Sequence, residues 1–396
     1  MKILCSTHDD RLRENYIFRE IEQRVLDFQN RNPHKSIISL GIGDVTLPLP
    51  QVAVEAMTSA LAEMGNSHSV KGYAPLKGYD FLRDGLDFYY QKRNCAVKKD
   101  DIFVTDGAKS TIAKIVGLFE NANVLLPVPS YPVYRDVCTM QGFAVHEIVG
   151  NEKNDFLPMP PEDKKGEGYL IFLCSPGNPT GMAYSKEQLL EWVKFAERTE
   201  SMILFDGAYE AFCTPTFPKS IYEIPGAYNC AIEIGSFSKN AGFTGVRCGW
   251  VVLPSDLKDK RGVSLQSRFL RRLSAIDNGV SYISQRGAAA ILTEQGQQEV
   301  EGLIQYYLEN AKILKVALST RGIRVYGGDA SPYLWFSTQN HGGSWEFFSN
   351  LLEASQIICT PGVGFGDAGE GFVRFSAFGE RSNILEAAKR LSCFPF

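Results

Sequence analysis

The sequence predicts an α/β fold: a large domain with a mostly parallel central sheet flanked by helices, plus a smaller α+β domain formed by the C-terminal part and the N-terminal arm. Three observations predict it. Continuous apolar runs such as 169–174 suit strands covered on both faces, and they alternate with segments whose apolar residues recur at helical spacing. Each polar or glycine-rich cluster follows directly on a strand, where open α/β sheets bind ligands. At 396 residues the chain exceeds one ordinary core, and beyond about residue 320 the alternation gives way to short strands and two helices.

Taken in order, 11–32 places Ile17, Ile21, Val25 and Phe28 on one helical face, with Tyr16 at its head. A short strand within 36–50 breaks at Gly41 and Gly43. Helices follow at 51–64 and 79–93, separated by a rigid turn-rich loop that carries Tyr73. The strand starting at Ile102 runs into Gly107 and then a helix, whose start offers free N–H groups at Ala108 and Lys109. A strand from Val124 ends in a loop with Tyr131 and Tyr134, and another lies near 143–148. Residues 151–168 read as an exposed connection. Strand 169–174 stops at Ser175-Pro-Gly-Asn-Pro-Thr-Gly181, and Ser185 with Gln188 three residues on is a capping box for a helix to about 199. The run 202–205 ends in Asp206-Gly-Ala-Tyr209. Strands at 230–234 and 249–254 flank a small-residue turn holding Ser236, Ser238 and Lys239, with Arg247 eight residues beyond the lysine. A charged segment, 255–285, leads into one long helix, 286–320. The remaining strands fall at 323–326, 333–336, 356–359 and 372–376, with helices near 344–354 and 382–391. The expected division is an N-terminal arm 1–45, a large cofactor-binding domain 46–285, and a linking helix with a small domain 286–396.

Apolar residues make up 44% and charged residues 22%, an ordinary globular balance, and the net charge of -4 with no basic tract gives nucleic-acid binding no electrostatic footing. Nine scattered cysteines show neither C-x-x-C nor zinc-ligand spacing, so no metal site is expected. Buried free thiols and a cytoplasmic protein are the expectation. The first residues turn charged at once, unlike a signal peptide, and no apolar run approaches membrane-spanning length.

A lysine held in a turn between two strands suits covalent amine chemistry with a carbonyl compound, and neighbouring hydroxyls with an arginine suit a phosphate. Pyridoxal phosphate combines both. Its ring nitrogen needs a carboxylate, for which Asp206 at a buried strand end is placed. Asn178 and Tyr209 can donate to the phenolic oxygen, and Tyr131 can stack on the ring. Ser236, Ser238, Arg247 and the N–H groups at Ala108 and Lys109 can hold the phosphate. Arg374, inside an apolar strand, can clamp a substrate carboxylate. Each residue also has a plain structural reading as a cap, turn, packing or salt-bridge residue; their common placement after strands argues for one site.

The combination Ser175-Pro-Gly-Asn-Pro-Thr-Gly181, Asp206-Gly-Ala-Tyr209 and Ser236-Phe-Ser-Lys239 with Arg247 resembles the fold-type I pyridoxal-phosphate aminotransferases of class I/II, over nearly the whole chain. Leu40-Gly-Ile-Gly-Asp-Val-Thr46, Glu14-Asn-Tyr-Ile-Phe18, the residues from Ser236 to Trp250 and Gly371-Phe-Val-Arg-Phe-Ser376 are similar, more narrowly, to the LL-diaminopimelate aminotransferases. The resemblance implies a homodimer with sites at the subunit interface. It makes Lys239 the Schiff-base lysine and Asp206 the ring-nitrogen partner, with Tyr73 reaching the phosphate from the other subunit. It gives Arg374 and the Gly43 region the α-carboxylate, and Tyr16 of the partner's arm the closing of the pocket. It implies transamination between LL-2,6-diaminopimelate and 2-oxoglutarate, serving lysine and peptidoglycan synthesis. At Leu76 the chain departs from the narrower family, which carries a glutamate there for the distal ammonium; a leucine cannot accept those hydrogen bonds. An aminotransferase for a lysine-like, aromatic or specialised amino acid is therefore the alternative, beside a lyase or decarboxylase and an inactive scaffold of the same fold.

Overall fold

The computed structural model describes residues 6–12, 17–162, 168–338 and 341–396. The first strand, β1 (Ile38–Ser39), stands apart from the seven that form the large sheet: β2 (Ile102–Thr105), β3 (Asn123–Val128), β4 (Ala144–Val149), β5 (Tyr169–Cys174), β6 (Met202–Asp206), β7 (Ala231–Ser236) and β8 (Gly249–Val252). Their order is β2-β8-β7-β6-β5-β3-β4, and β8 alone runs antiparallel to its neighbours. The chain passes from β3 outward to β4 and returns to β5 on the other side of β3, so the strand order reverses there. That reversal opens a crevice at the strands' C-terminal ends.

Strand side chains alternate between two apolar layers. Ile171, Leu173, Ile203 and Phe205 pack with Leu189, Trp192 and Val193 of the helix Lys186–Thr199 on one face. Leu170, Phe172, Leu204, Ile232 and Val251 pack on the other with Ile112, Ile115, Val133, Val137 and Phe269. The smaller domain is built on β9 (Val325–Gly327), β10 (Tyr333–Ser337), β11 (Ile357–Ile358), β12 (Thr360–Pro361) and β13 (Phe372–Ser376). Four of these form an antiparallel sheet in the order β12-β13-β10-β9, while β11 pairs in parallel with β1. Ile17, Ile21 and Phe28 of the helix Ile17–Arg31 join Phe336, Phe347, Val373 and Phe375 in its core.

Four expectations need correction. The helix expected over 286–320 is two, Tyr282–Ile291 and Glu294–Ser319; Thr293 caps the second by accepting from the Gly296 N–H at 3.1 Å. The charged segment 255–285 contains the helix Leu265–Ile276, which buries Leu265, Phe269 and Leu273 at four-residue spacing beneath an arginine-rich outer face. The turn around Lys239 is a short helix, Phe237–Asn240, capped by Ser236, whose Oγ accepts from the Ser238 N–H at 3.1 Å. Part of the 151–168 connection is buried: Phe156 packs with Tyr326, Trp335 and Phe365. Eight cysteines lie among the described residues, all as free thiols; Cys393 alone is exposed, and Cys5 falls outside them. No helix among the described residues is long and apolar enough to cross a membrane.

Candidate active site

At the C-terminal ends of β2, β3, β5, β6 and β7 the chain encloses a cavity of about 390 Å³. It is lined by Ala108, Lys109, Tyr131, Asn178, Asp206, Tyr209, Ser236, Ser238, Lys239, Arg247, Gly43 and Arg374, all singled out in the sequence. Tyr16 lies outside the described residues, and Tyr73 sits on a loop, 86% exposed, away from its own chain's cavity.

Lys239 projects from the helical turn after β7, and its ammonium donates to the Gly43 carbonyl. Burial lowers its pKa to about 8; Asp44 opposes that shift, while Arg374 and Arg247 add to it. Near neutral pH a useful share of this amine is therefore a free nucleophile. Asp206 ends β6. Its Oδ2 accepts from the Tyr134 hydroxyl at 2.6 Å and its Oδ1 from the Ala208 N–H at 3.0 Å. Burial raises its pKa, and these two hydrogen bonds act the other way. A carboxylate so enclosed is best completed by a cation from the cavity side.

The anion corner is built around Gly107, which caps the helix Ala108–Val116 with φ near 118°. A Cβ there would stand 2.4 Å from Nη2 of Arg247, so only glycine lets the guanidinium lie against this helix start. Arg247 is itself held at φ 65°, and its Nη1 donates to the Thr244 carbonyl at 3.1 Å. Guanidinium, helix N–H groups and the Ser236 and Ser238 hydroxyls thus converge where the helix dipole favours negative charge.

On the opposite wall Arg374 is 1% exposed. It donates to Asn178 Oδ1 at 2.7 Å, to the Gly41 carbonyl at 2.6 Å and to Thr360 Oγ1 at 3.3 Å. Its guanidinium carbon lies 4.4 Å from the Tyr333 ring centre and 5.0 Å from that of Phe365. Among the described residues no carboxylate pairs with it, and its buried Nε has no hydrogen-bond partner. A buried unpaired cation calls for an anionic ligand. The Tyr209 and Tyr333 hydroxyls share a hydrogen bond of 2.8 Å, and a Cβ on Gly43 would stand 2.5 Å from the Tyr333 hydroxyl. The chain can pass this tyrosine only because residue 43 lacks a side chain.

Sequence reasoning missed Tyr333, Phe18, Ile42, Asp44, Ile112, Ala208 and Thr244 as lining residues, and noted Tyr134 only as a loop aromatic. A tyrosine one helical step past Tyr131, after a Pro at the first helical position, was the available signal for Tyr134. A tyrosine inside an apolar strand carries none. Leu76 is half-buried against the apolar layer containing Phe103 and Ile112 and does not line the cavity.

Pyridoxal phosphate fits these residues: an amine for its aldehyde, a buried carboxylate for its nitrogen, and an anion corner whose arginine a Cβ at residue 107 would push aside. The family model for class I and II aminotransferases matches residues 35–391. LL-diaminopimelate aminotransferase from Prochlorococcus marinus (strain NATL1A) is 44% identical over 398 aligned positions, covering 96% of this chain and 97% of that protein. The solved L,L-diaminopimelate aminotransferase from Chlamydomonas reinhardtii superposes with a TM-score of 0.93 at 40% identity, over 100% of this chain and 99% of that one. Thermus thermophilus aspartate aminotransferase shares the fold with a TM-score of 0.87 at 20% identity, covering 100% of both chains. With its lysine, aspartate and anion corner in one cavity and its whole length matched, the chain belongs to the class I and II aminotransferases of the fold-type I, pyridoxal-phosphate-dependent group.

Proposed function

We propose that this aminotransferase transfers an amino group between LL-2,6-diaminopimelate and 2-oxoglutarate, used in the direction that makes diaminopimelate from tetrahydrodipicolinate and glutamate. The observation that carries the reading is full-length similarity, at 44% and 40% identity, to two proteins bearing that activity in their names. Bound pyridoxal phosphate supplies an electron sink for the substrate's Cα–H bond. Arg374 takes the substrate's α-carboxylate, which completes its unpaired charge and leaves Asn178 oriented by the Nη1 bond. As a free amine Lys239 would take the proton from the substrate's Cα, and its pKa, lowered to about 8, leaves a useful share of it neutral near pH 7 for that work. Asp206, steadied by Tyr134 and the Ala208 N–H, would hold the proton of the ring nitrogen. Arg247, Ser236, Ser238 and the helix start would hold the phosphate in place.

The functional unit is a cytoplasmic homodimer in this reading, with Tyr73 and Tyr16 supplied across the interface. The exposure of Tyr73 supports that: 86% of a large aromatic faces solvent in the single chain. A second reading, transamination of a different amino acid, is favoured by Leu76, whose side chain is spent on apolar packing and offers no acceptor. The test is a spectral screen of the purified enzyme. LL-diaminopimelate should convert the bound cofactor to its aminated form, and 2-oxoglutarate should reverse it. Conversion by other amino acids but not by LL-diaminopimelate selects the second reading. Conversion that 2-oxoglutarate cannot reverse points away from transamination with that acceptor.

A further inference from the structure

A second cavity, of about 520 Å³, lies against Asn240, the residue after Lys239, and shares no lining residue with the active site. One wall is the segment 211–219 that follows β6; the facing wall is the helix Glu294–Ser319. Asn240 is 6% exposed, and its side-chain oxygen is buried without a hydrogen-bond partner. A buried polar group left unmet is costly, and native structures pair nearly all of them.

The charges around the cavity are of both signs, and Lys92 also lies 4.6 Å from the centre of the Phe88 ring. Lys92 and Lys219 stand on the near side, and Glu294 and Glu301 on the helix. Among the described residues none of these four enters an ion pair. Arg93, by contrast, is already spent: it lies 3.0 Å from Glu210 and 3.8 Å from the centre of the Tyr89 ring. The floor between the charges is apolar, formed by Phe212, Val300 and Ile304. A simple anion would gain the lysines and meet the glutamates; a simple cation would do the reverse. A molecule carrying both charges a few bonds apart satisfies both walls.

We propose that this cavity is a second binding site, for a small zwitterionic amino acid. Its carboxylate faces Lys92 and Lys219, its ammonium faces Glu294 and Glu301, and it lies against Asn240. The site reports to the catalytic centre through covalent neighbours. Asn240 adjoins Lys239, and the helix Glu294–Ser319 continues into the smaller domain's core through Ala311, Leu314 and Leu318, the domain whose β13 carries Arg374. A ligand bridging that helix and Asn240 ties the lysine to the arginine's domain.

The test is calorimetric titration of the full-length, cofactor-loaded protein with L-lysine, L-glutamate and glycine, with acetate and methylamine as single-charge probes. At least one amino acid should bind two sites per chain in the wild type. It should bind one in Arg374→Ala, which empties the active site, and one in Gln305→Trp, which fills the new cavity from an exposed position. Lys219→Glu should weaken the second site about tenfold or more. Amide exchange at Phe237–Asn240 should slow when that site fills, in the wild type and in Arg374→Ala. A stoichiometry of one per chain in the wild type, a second site untouched by Gln305→Trp, or acetate binding as tightly as the amino acid overturns the proposal. Unchanged exchange at Phe237–Asn240 overturns the link to Lys239.

Discussion

Lys239 acts as it does because of what surrounds its ammonium. In cofactor-free protein its modification by an acylating reagent, followed by peptide mass, should titrate with a midpoint near pH 8, the value to which burial lowers it. A midpoint near that of an ordinary lysine would show that the pocket does not desolvate it. Tyr134 is a positioning residue for Asp206. Its hydrogen bond holds the carboxyl pKa down against burial. Tyr134→Phe should therefore raise that pKa and move the acid limb of kcat/KM upward, with the alkaline limb in place. Arg374→Lys keeps the charge and loses the fork that reaches Asn178 and Gly41 together. Its kcat/KM for amino acids should fall about a hundredfold, roughly 3 kcal/mol of transition-state stabilisation, measured against the cofactor's unchanged affinity. Lys239, Asp206 and Arg374 were legible in the sequence because a charge in a small-residue turn or an apolar strand has few other reasons to be there. Tyr333 was not, because a tyrosine in an apolar strand looks the same whether it packs or lines a site.

Among the elements, the helix Ala108–Val116 depends on the glycine that opens it. Gly107→Val places a branched side chain at φ near 118° and 2.4 Å from the Arg247 guanidinium at its first carbon. Cofactor affinity should drop at least tenfold by equilibrium dialysis, a loss of about 1.4 kcal/mol or more, while the fold, whose sheet lies outside this contact, persists by circular dichroism. The strand ends that feed the site were readable because each is an apolar run cut off by a polar cluster. The break at Thr293 was not: the apolar stripe resumes in phase on both sides, and the break shows only in the cap that Thr293 gives Gly296. The helix Leu265–Ile276 was hidden by Arg268, Arg271 and Arg272, which outweigh a three-residue stripe in composition though not in packing.

At the scale of the molecule, two apolar layers and a smaller core are joined by the helix Glu294–Ser319, and the site lies where they meet. Besides Asp206, the large sheet buries a second carboxyl group. Glu233 on β7 accepts from Tyr90 at 2.5 Å, Ser220 at 2.6 Å and the Ile221 N–H at 2.8 Å. Burial outweighs these bonds and pushes its pKa up from 4.5 to about 7. Because the folded value is the higher, the folded state binds the proton more tightly. The resulting stability is full below pH 4.5 and is lost as pH rises through about 7. Denaturant midpoints between pH 5 and 8 should therefore fall more steeply in the wild type than in Glu233→Gln. The fold class and the site's address were legible in the order of strands and polar clusters, whereas the substrate's far end was not, because one substitution at Leu76 leaves its recognition to residues that only an assembled site brings together. Whether Lys239 carries the cofactor covalently is tested most directly by reducing the holoenzyme with borohydride and weighing its peptides. One cofactor remnant per chain is expected, on the peptide containing Lys239 and absent in Lys239→Ala; an unmodified peptide, or a remnant on another lysine, would place the covalent link elsewhere.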